Sequence, residues 1–441
     1  MPIPTTSGFD TANSKMAKMP IYAFSIPGWT VFTTHDLVRT GITGALPSYL
    51  PWLKTPQGSS QSIDIVNGSA SIGDLTCEIV DVGGAVRAWV GTNTLEGSMV
   101  TLCVGYPGLA WSDFAVVQTY LLYKINPTDG YTSFNFLSKD LGLLLNMTVY
   151  THPENGYLLS EDNPWYLSGT PAEMFQAICL CCLQLTAAQV DRATMATLDS
   201  PAQNIFAPWR PFRFALTSPF QAKSFIESQI LKPSGCYPVV LPSGALSMRS
   251  AHPPVEVTPV FTFTENNLKE FPKWDRQAIV NQAVWKFADG SSEVILEAAS
   301  IGQYGNGQQF SVDSQGLRPQ MAAAAYAQWV TSCLFRRFSG DVNTGAIKGG
   351  APVLTLVAFL LTLPVWVGDY VALTHSKMPD ITTGALGVTN RIYEVIDRQP
   401  NYAGGFMQYK VLDTGISGAP APCTIGPGTA NPYVIGAGVI Y

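Results

Sequence analysis

Residues 349–368 read GGAPVLTLVAFLLTLPVWVG, and this stretch decides the fold. It is uncharged and close to the length of a membrane-spanning helix. Prolines at 352 and 364, glycines at both ends and several β-branched residues disfavour a helix. We therefore predict two buried strands, broken near Leu363 and Pro364, and no membrane span.

The composition around this stretch is poor in charge. Only 13% of the 441 residues are Asp, Glu, Lys or Arg, and the mean hydropathy is +0.15. An ordinary soluble domain is about one quarter charged, because charged side chains cover its solvated surface. Either a membrane or other protein subunits should cover much of this chain. Since no span is predicted, we expect other subunits.

Composition also excludes two classes of protein. The chain is 46% hydrophobic, which is far from the composition of disordered chains. Its net charge of −6 argues against direct nucleic-acid recognition, which needs clustered Lys and Arg. The small basic cluster Arg336-Arg337 is interpreted as a solvated helix end. The length predicts two to four domains.

The beginning of the chain has strand character. Short apolar runs alternate with Gly, Asn, Asp and Pro, as is typical of an antiparallel sheet or small barrel. The predicted strands are residues 63–65, 75–80, 86–90, 99–104, 116–124 and 131–137. We assign residues 1–150 to an N-terminal β-barrel domain.

Helical spacing begins in the next part. Thr170 to Glu173 form a capping box with proline at the first helical position, which predicts a helix over 171–187. A second box at residues 218–221 predicts a helix that ends before Pro233. Residues 236–240 and 245–248 flank a Pro-Ser-Gly turn and predict a hairpin. These elements define an α/β domain over 151–256.

The remaining chain is divided in the same way. Residues 257–340 form a mixed α/β domain, with strands at 260–264 and 294–297 and a helix over 320–334. Residues 341–441 form a second β-barrel, with strands at 368–373 and 391–396, and an extended C-terminal arm from 415. The fold class is therefore mainly β with α+β parts, in which two similar β-barrel modules bracket mixed α/β domains.

No catalytic constellation is evident. The sequence has no G-x-S-x-G elbow, no H-E-x-x-H run and no phosphate-binding P-loop. His35 precedes Asp36 and is interpreted as a turn or strand-edge histidine. The acid pair Glu161 and Asp162 precedes Asn-Pro and is interpreted as turn chemistry. Residues 302–307, GQYGNG, are interpreted as a loop between strands. We predict no catalytic, cofactor-binding or metal-binding residues.

The cysteines do not form a recognisable ligand motif. Cys179 and Cys182 have C-x-x-C spacing, but no second pair follows, and with Cys181 they fall in one predicted helix. Adjacent residues of a helix point to different sides, so we predict buried free thiols. The sequence leaves open an iron–sulfur cluster or zinc site assembled from distant cysteines.

Several segments along the chain share patterns with one known family of proteins. Similarity to the family's N-terminal barrel is carried by residues 61–68, QSIDIVNG, 73–76, GDLT, 97–102, GSMVTL, and 111–114, WSDF. Residues 218–230 and 237–247 resemble its helix and hairpin, and 368–375, GDYVALTH, resemble a strand of its second barrel. These loose patterns are spread over most of the chain, and together they resemble the baseplate hub (tail tip hub) proteins of long-tailed bacteriophages and gene-transfer agents.

The resemblance implies a structural virion protein at the tail tip or baseplate, assembled in the host cytoplasm, and not an enzyme. Such hubs are homotrimers that act as symmetry adaptors, because two similar barrels in each chain create a quasi-sixfold face. They join a hexameric tail tube or distal tail protein to a trimeric tail fibre or tip protein. Some relatives hold an iron–sulfur cluster, and no ligands for one are carried over here. The alternatives are a carbohydrate-active β-rich enzyme and a sixfold distal tail or tube protein.

Overall fold

The computed structural model describes residues 2–13, 19–58, 60–198, 212–252, 257–317, 326–340, 349–380, 384–417, 434–435 and 438–439. It is 42% strand and 22% helix, so the predicted mainly β class with α/β parts is confirmed. The described chain contains no helix long and apolar enough to cross a membrane.

The first part of the chain forms an eight-stranded sheet. Its strands are β1 (Ile21–Ser25), β2 (Val31–Thr33), β3 (Tyr49–Leu50), β4 (Gln57–Gly58), β7 (Asp74–Val80), β8 (Met99–Gly105), β9 (Ala115–Pro127) and β10 (Ser133–Lys139), in the order β3-β2-β1-β8-β9-β10-β7-β4. Strand β7 alternates as the sequence predicts, with Leu75, Cys77 and Ile79 pointing into the core. The two intervening strands, β5 (Gln61–Asp64) and β6 (Ser69–Ala70), belong to the second sheet.

The second sheet is built mainly from the last part of the chain. It contains β17 (Phe261–Thr264), β18 (Lys273–Arg276), β22 (Pro352–Phe359), β23 (Tyr370–Pro379), β24 (Leu386–Asn401) and β25 (Phe406–Ser417), in the order β17-β23-β24-β25-β22-β18. Strand β5 pairs with β24 on one side and with β6 on the other. The second sheet therefore incorporates a segment from the first part of the chain.

The two sheets share one strand order. Strands β7 to β10 lie in the order β7-β10-β9-β8, and β22 to β25 lie in the order β22-β25-β24-β23, with every neighbouring pair antiparallel. The next strands outward are β1 and β4 in the first sheet and β17 and β18 in the second, which makes a shared order of six strands. The directions differ at one end, where β1 is antiparallel to β8 and β17 is parallel to β23, and β2 and β3 extend the first sheet further. The predicted similarity of the two β modules thus has a topological basis. Their closure into barrels does not occur in the described residues, where both sheets remain open.

Smaller elements lie between and around the sheets. The short strands are β11 (Thr148–Val149), β12 (Trp165–Ser168), β13 (Arg213–Leu216), β14 (Phe220–Gln221), β15 (Cys236–Val240), β16 (Leu246–Ser250), β19 (Val280–Lys286), β20 (Ser292–Leu296), β21 (Gln308–Asp313), β26 (Val434–Ile435) and β27 (Gly438–Val439). The α-helical segments are α1 (Ser7–Asn13), α2 (Ala85–Val90), α3 (Pro171–Ala177), α4 (Arg192–Leu198), α5 (Ala222–Phe225), α6 (Lys232–Ser234), α7 (Ala298–Tyr304) and α8 (Arg336–Phe338). Single π-helical stretches are Ile178–Cys182, Ile226–Leu231 and Tyr326–Phe335.

Local signals with a specific hydrogen-bond pattern predicted these elements well. The capping box is present, because Thr170 Oγ1 accepts the Glu173 N–H and the Glu173 carboxylate accepts the Thr170 N–H. The hairpin of β15 and β16 is also confirmed. The helix that begins at Pro171 ends at Cys182 and not at 187, because Gln184 takes a left-handed conformation with φ of 53°.

The second capping box was predicted wrongly. Phe220 and Gln221 pair with β11 as strand β14, so the helix starts only at Ala222. It also continues past the predicted end, since the π-helical stretch Ile226–Leu231 leads without a break into α6, which contains Pro233. Gly235 then ends the helix with a φ of 65°.

Two predictions of strand or loop were wrong because short helices form instead. Residues 86–90 lie in α2, because the Asp81 carboxylate accepts the N–H groups of Val86 and Arg87 and caps that turn. Residues 298–304 form α7, so the predicted loop over 302–307 is wrong for 302–304, and residues 305–307 form a loop between α7 and β21. Ser300 in this helix is buried and donates to the Ser339 carbonyl.

Residues 349–368 contain one strand and not the two that were predicted. Strand β22 ends at Phe359, a 3₁₀ turn covers Leu360–Thr362, and the next strand begins only at Tyr370. Trp366 between them is buried in a turn instead of a ladder. The predicted extended arm from 415 lies largely outside the described residues.

Candidate assembly site between two related sheets

Two long hairpins occupy equivalent places in the two sheets. Strands β9 and β10 are joined by residues 128–132, and β24 and β25 by residues 402–405. In each hairpin the pairing shifts by one residue, which leaves Tyr123 as a bulge on β9 and Ile396 as a bulge on β24. A bulge re-aims a strand at a defined position. The likeness of the two sheets thus extends from strand order to a local irregularity.

The tip of the second hairpin covers an edge of the first sheet. A methyl group at Gly58 of β4 would lie 3.0 Å from Pro400 Cγ, so glycine lets the strand and the hairpin approach. The Tyr22 hydroxyl donates to the Tyr402 carbonyl over 3.3 Å, and the two rings meet edge to face at 5.1 Å. Backbone and aromatic contacts therefore join the two sheets within one chain.

Strand β5 reinforces this joint. Its residues Gln61 and Ser62 pair with Arg398 and Asp397 of β24. The Gln61 side chain also reaches the first sheet, where its Nε2 donates to Gln118 Oε1 over 2.8 Å. One strand thus bonds to the second sheet through its backbone and to the first sheet through a side chain.

Arg398 anchors the hairpin from inside. It is only 1% exposed, and its guanidinium donates to the carbonyls of Val365 and Leu363. The same group lies 4.4 Å from the centre of the Trp366 ring, a distance at which the cation and the aromatic face attract each other. Trp366 in turn donates to the Val240 carbonyl in β15. The turn after β22 is therefore held by a buried arginine, which is why it does not form the second strand.

The Arg336-Arg337 cluster is not a solvated helix end. Arg336 is exposed, but Arg337 is buried and its Nη2 donates to Glu394 Oε2 over 2.7 Å. The Tyr237 hydroxyl donates to the other oxygen of Glu394 over 2.6 Å. Burial and the nearby carboxylate raise the pKa of Tyr237 well above its ordinary value. A buried charge needs such a partner, because desolvation of an unpaired charge is costly.

A second buried ion pair joins the β15–β16 hairpin to the second sheet. Arg249 Nη1 and Nη2 both lie within hydrogen-bond distance of Asp369 Oδ1, at 3.1 and 3.2 Å. Burial raises the pKa of Asp369, and the Arg249 charge opposes that rise. Together with Tyr237, this pair fixes the hairpin against the strands that follow the apolar stretch.

A small cavity lies where these parts meet. It has a volume of ≈ 40 Å³ and is lined by residues from β5, α5, the β15–β16 hairpin and the Trp366 turn. Asp140 on its wall accepts the N–H groups of Gly73 and Gly142. Burial raises the pKa of Asp140 to about 7, and the two backbone hydrogen bonds limit the rise. Asp140 is thus a buried carboxyl group at the junction of the chain's parts.

These buried charged residues were not predicted, although the sequence contains a signal for them. Glu394 stands inside the apolar run 391–396, RIYEVI, and Arg398 follows the same strand. In a chain with so few charges, a charged residue within a buried strand indicates a buried ion pair.

The candidate catalytic residues do not come together. Glu161 and Asp162 are exposed in a turn closed by Ser160 and Asn163, as the Asn-Pro signal predicts. His35 lies just after β2 and its Nδ1 contacts Thr34 Oγ1 at 2.9 Å, which agrees with a strand-edge position.

The cysteines behave in part as predicted. Cys179 is buried, Cys182 is partly buried and Cys181 is exposed, so the prediction of three buried thiols is wrong for Cys181. This residue lies on the π-helical turn, on the side away from the core. Burial raises the pKa of Cys179 and of Cys182 to about 12. Within the described ranges, no group of three or more His, Cys, Asp or Glu side chains could hold a metal ion.

Comparisons with known proteins found similarity at the level of solved structures. No family model and no curated protein matches the chain. One similar structure is the 43 kDa tail protein of prophage MuSo2 from Shewanella oneidensis, with 13% identity over 90% of this chain and 99% of that chain and a TM-score of 0.49.

Two further similar structures are also tail proteins. The tail protein from Neisseria meningitidis MC58 has 11% identity over 90% of this chain and 97% of that chain, with a TM-score of 0.44. The prophage tail protein gp18 from Listeria monocytogenes EGD-e has 9% identity over 89% and 94%, with a TM-score of 0.40.

Proposed function

We propose that this chain is a structural protein of a phage-type tail, acting as a hub that adapts a sixfold ring to a threefold tip. The observation that carries the proposal is the six-strand order repeated in two sheets of one chain. Three copies would present six similar sheets. Such a ring matches a hexameric tail tube or distal tail protein on one face while keeping threefold symmetry for a fibre or tip protein.

Several properties of the chain support an assembly role over an enzymatic one. Charged residues make up only 13% of the sequence, and those placed in the second sheet include buried ion pairs that hold its parts together. A surface poor in charge is expected where neighbouring subunits cover it. The acid pair that would have suggested a glycosidase lies in an exposed turn.

The proposal makes a direct prediction about solution mass. Light scattering on the purified chain should give a particle of three chains of 47.5 kDa each, and after addition of a sixfold tail ring protein the mass should rise to that of the ring plus three chains. Electron microscopy of that particle should show threefold symmetry with six similar lobes. A stable monomer in both conditions contradicts the proposal. A strictly sixfold particle would instead favour a distal tail or tube protein.

A further inference from the structure

The contact between the two sheets has a counterpart that is not made within the chain. It would join the β9–β10 hairpin to strand β18. Within the chain, the tip of the β24–β25 hairpin packs against β4 at the edge of the first sheet. Particular side chains of that hairpin are accordingly buried, with Tyr402 in the turn 4% exposed and the bulge residue Ile396 8% exposed, while Ala403 and Gly404 at the tip are exposed. The first hairpin has the same place in its own sheet, and in the described part of the chain no backbone hydrogen bond joins its turn, residues 128–132, to β18.

The aromatic side chains of the β9–β10 hairpin are exposed to solvent, in contrast to Tyr402 of the β24–β25 hairpin. Tyr131 in the turn between β9 and β10 is 60% exposed, and the bulge residue Tyr123 is 50% exposed. Both are large rings that cost free energy to leave in water. The hairpin of the first sheet therefore presents two aromatic rings to solvent, and one of them, Tyr123, occupies the bulge position at which the second hairpin has the buried Ile396.

The edge that would receive this hairpin is exposed as well. Strand β18 extends the second sheet beyond β22, just as β4 extends the first sheet beyond β7. While Pro400 covers β4, all four residues of β18 are exposed, and Trp274 at its centre is 50% exposed. An edge strand with an exposed aromatic residue is prone to pair with another chain.

We propose that a second copy of this chain occupies these surfaces: the β9–β10 hairpin of one copy packs on β18 of the next, repeating between chains the contact that β24–β25 makes with β4 within a chain. The inference rests on the proposed function and identifies its subunit contact. The two surfaces are different, so the contact is head to tail and closes a ring when the rotation permits. Tyr123, Tyr131 and Trp274 would become buried on assembly.

A photo-crosslink tests the contact directly in the full chain. Benzoylphenylalanine is introduced at position 274, the protein is mixed with isotopically heavy wild-type chain, assembled and irradiated. Mass spectrometry should find a crosslink from position 274 to the 115–139 region of a chain of the other isotope. The same probe at position 166, a tyrosine of β12 that is 72% exposed, is the matched control and should not crosslink to that region of the other chain.

The outcomes separate the contact from the function. A trimer without the crosslink from position 274 to 115–139 overturns the contact and leaves the hub function standing. A chain that stays monomeric, even with a sixfold ring protein, overturns both.

A pair of variants adds an independent readout. Tyr123→Ser and Trp274→Ser should each weaken trimer formation by at least tenfold, while the unfolding temperature of the dissociated chain stays within about 2 °C of the wild type. The control Tyr157→Ser removes a tyrosine that is 72% exposed on another part of the surface and should leave trimer formation unchanged. Equal assembly of all three variants would contradict the contact.

Discussion

Arg337 Nη2 lies 2.7 Å from Glu394 Oε2, in a pocket where the Tyr237 hydroxyl holds the other carboxylate oxygen. The three residues come from a helix end, the longest strand of the second sheet and the β15–β16 hairpin. One buried carboxylate therefore ties together three segments that are distant in sequence. Its energetic value lies less in the attraction itself than in the cost of leaving either charge unpaired.

Removal of this carboxylate should be strongly destabilising. Glu394→Ala would leave the Arg337 guanidinium buried without its anion, and we expect a loss of about 3–5 kcal/mol in the free energy of unfolding. Urea unfolding followed by tryptophan fluorescence measures the shift. The matched control is Glu161→Ala, an exposed acid in a turn, which should change stability by less than about 0.5 kcal/mol. Equal shifts for both variants would show that the buried pair has no special role.

Stability should depend on pH through Asp140. Its pKa is raised from 3.8 to about 7, so between these values the unfolded chain releases a proton that the folded chain retains. The free energy of unfolding therefore falls as pH rises from about 4 to 7 and levels off above that range. The slope is at most about 1.4 kcal/mol per pH unit.

Asp140→Asn isolates this effect from other titrations. Asp369 and Glu227 also have raised pKa values because of burial, and they remain in the variant. We expect the decline between pH 5 and 7 to be shallower in Asp140→Asn than in the wild type, as measured by urea unfolding at each pH. Parallel curves for the two proteins would contradict the raised pKa.

Two glycine-to-alanine substitutions should change the stability of the fold in opposite directions. Gly235 has a φ of 65°, and a Cβ there would lie 2.3 Å from the Trp329 ring, so Gly235→Ala should lower stability by more than about 2 kcal/mol. Gly302 lies inside helix α7 with open space around it, and Gly302→Ala should raise stability by about 0.5–1 kcal/mol. Thermal unfolding of both variants checks the prediction, and a stabilised Gly235→Ala would disprove the close packing.

Thiol labelling should distinguish the cysteines of the described chain. Cys181 is exposed, whereas burial raises the pKa of Cys236 to about 12 and that of Cys77 above its ordinary range. Because the thiolate is the reactive form, Cys181 should react with a maleimide first and Cys77 and Cys236 only after unfolding. Peptide mapping after a short pulse identifies the labelled site. In Cys181→Ser the fast label at this peptide should vanish while that on the remaining cysteines stays the same.

Predictions from sequence succeeded where one local signal fixes the backbone. The capping box at Thr170 and Glu173 involves atoms only three residues apart, and the alternation of Leu75, Cys77 and Ile79 is a property of one strand. Local patterns gave wrong predictions in two places. Residues 86–90 are helical because the Asp81 carboxylate caps their first turn. Residues 220–221 pair with β11 and so form a strand before the helix. In both places a contact from outside the segment outweighed its own pattern.

The sequence by itself determined the mainly β class, the turn around Glu161 and Asp162, and the β character of both ends of the chain, because strand alternation and turn residues act over a few positions. Only the tertiary structure decided that the two sheets share a strand order, that β5 crosses to the second sheet and that Arg337 is buried against Glu394. These features depend on contacts between residues up to several hundred positions apart, and neither periodicity nor composition specifies which distant partners meet.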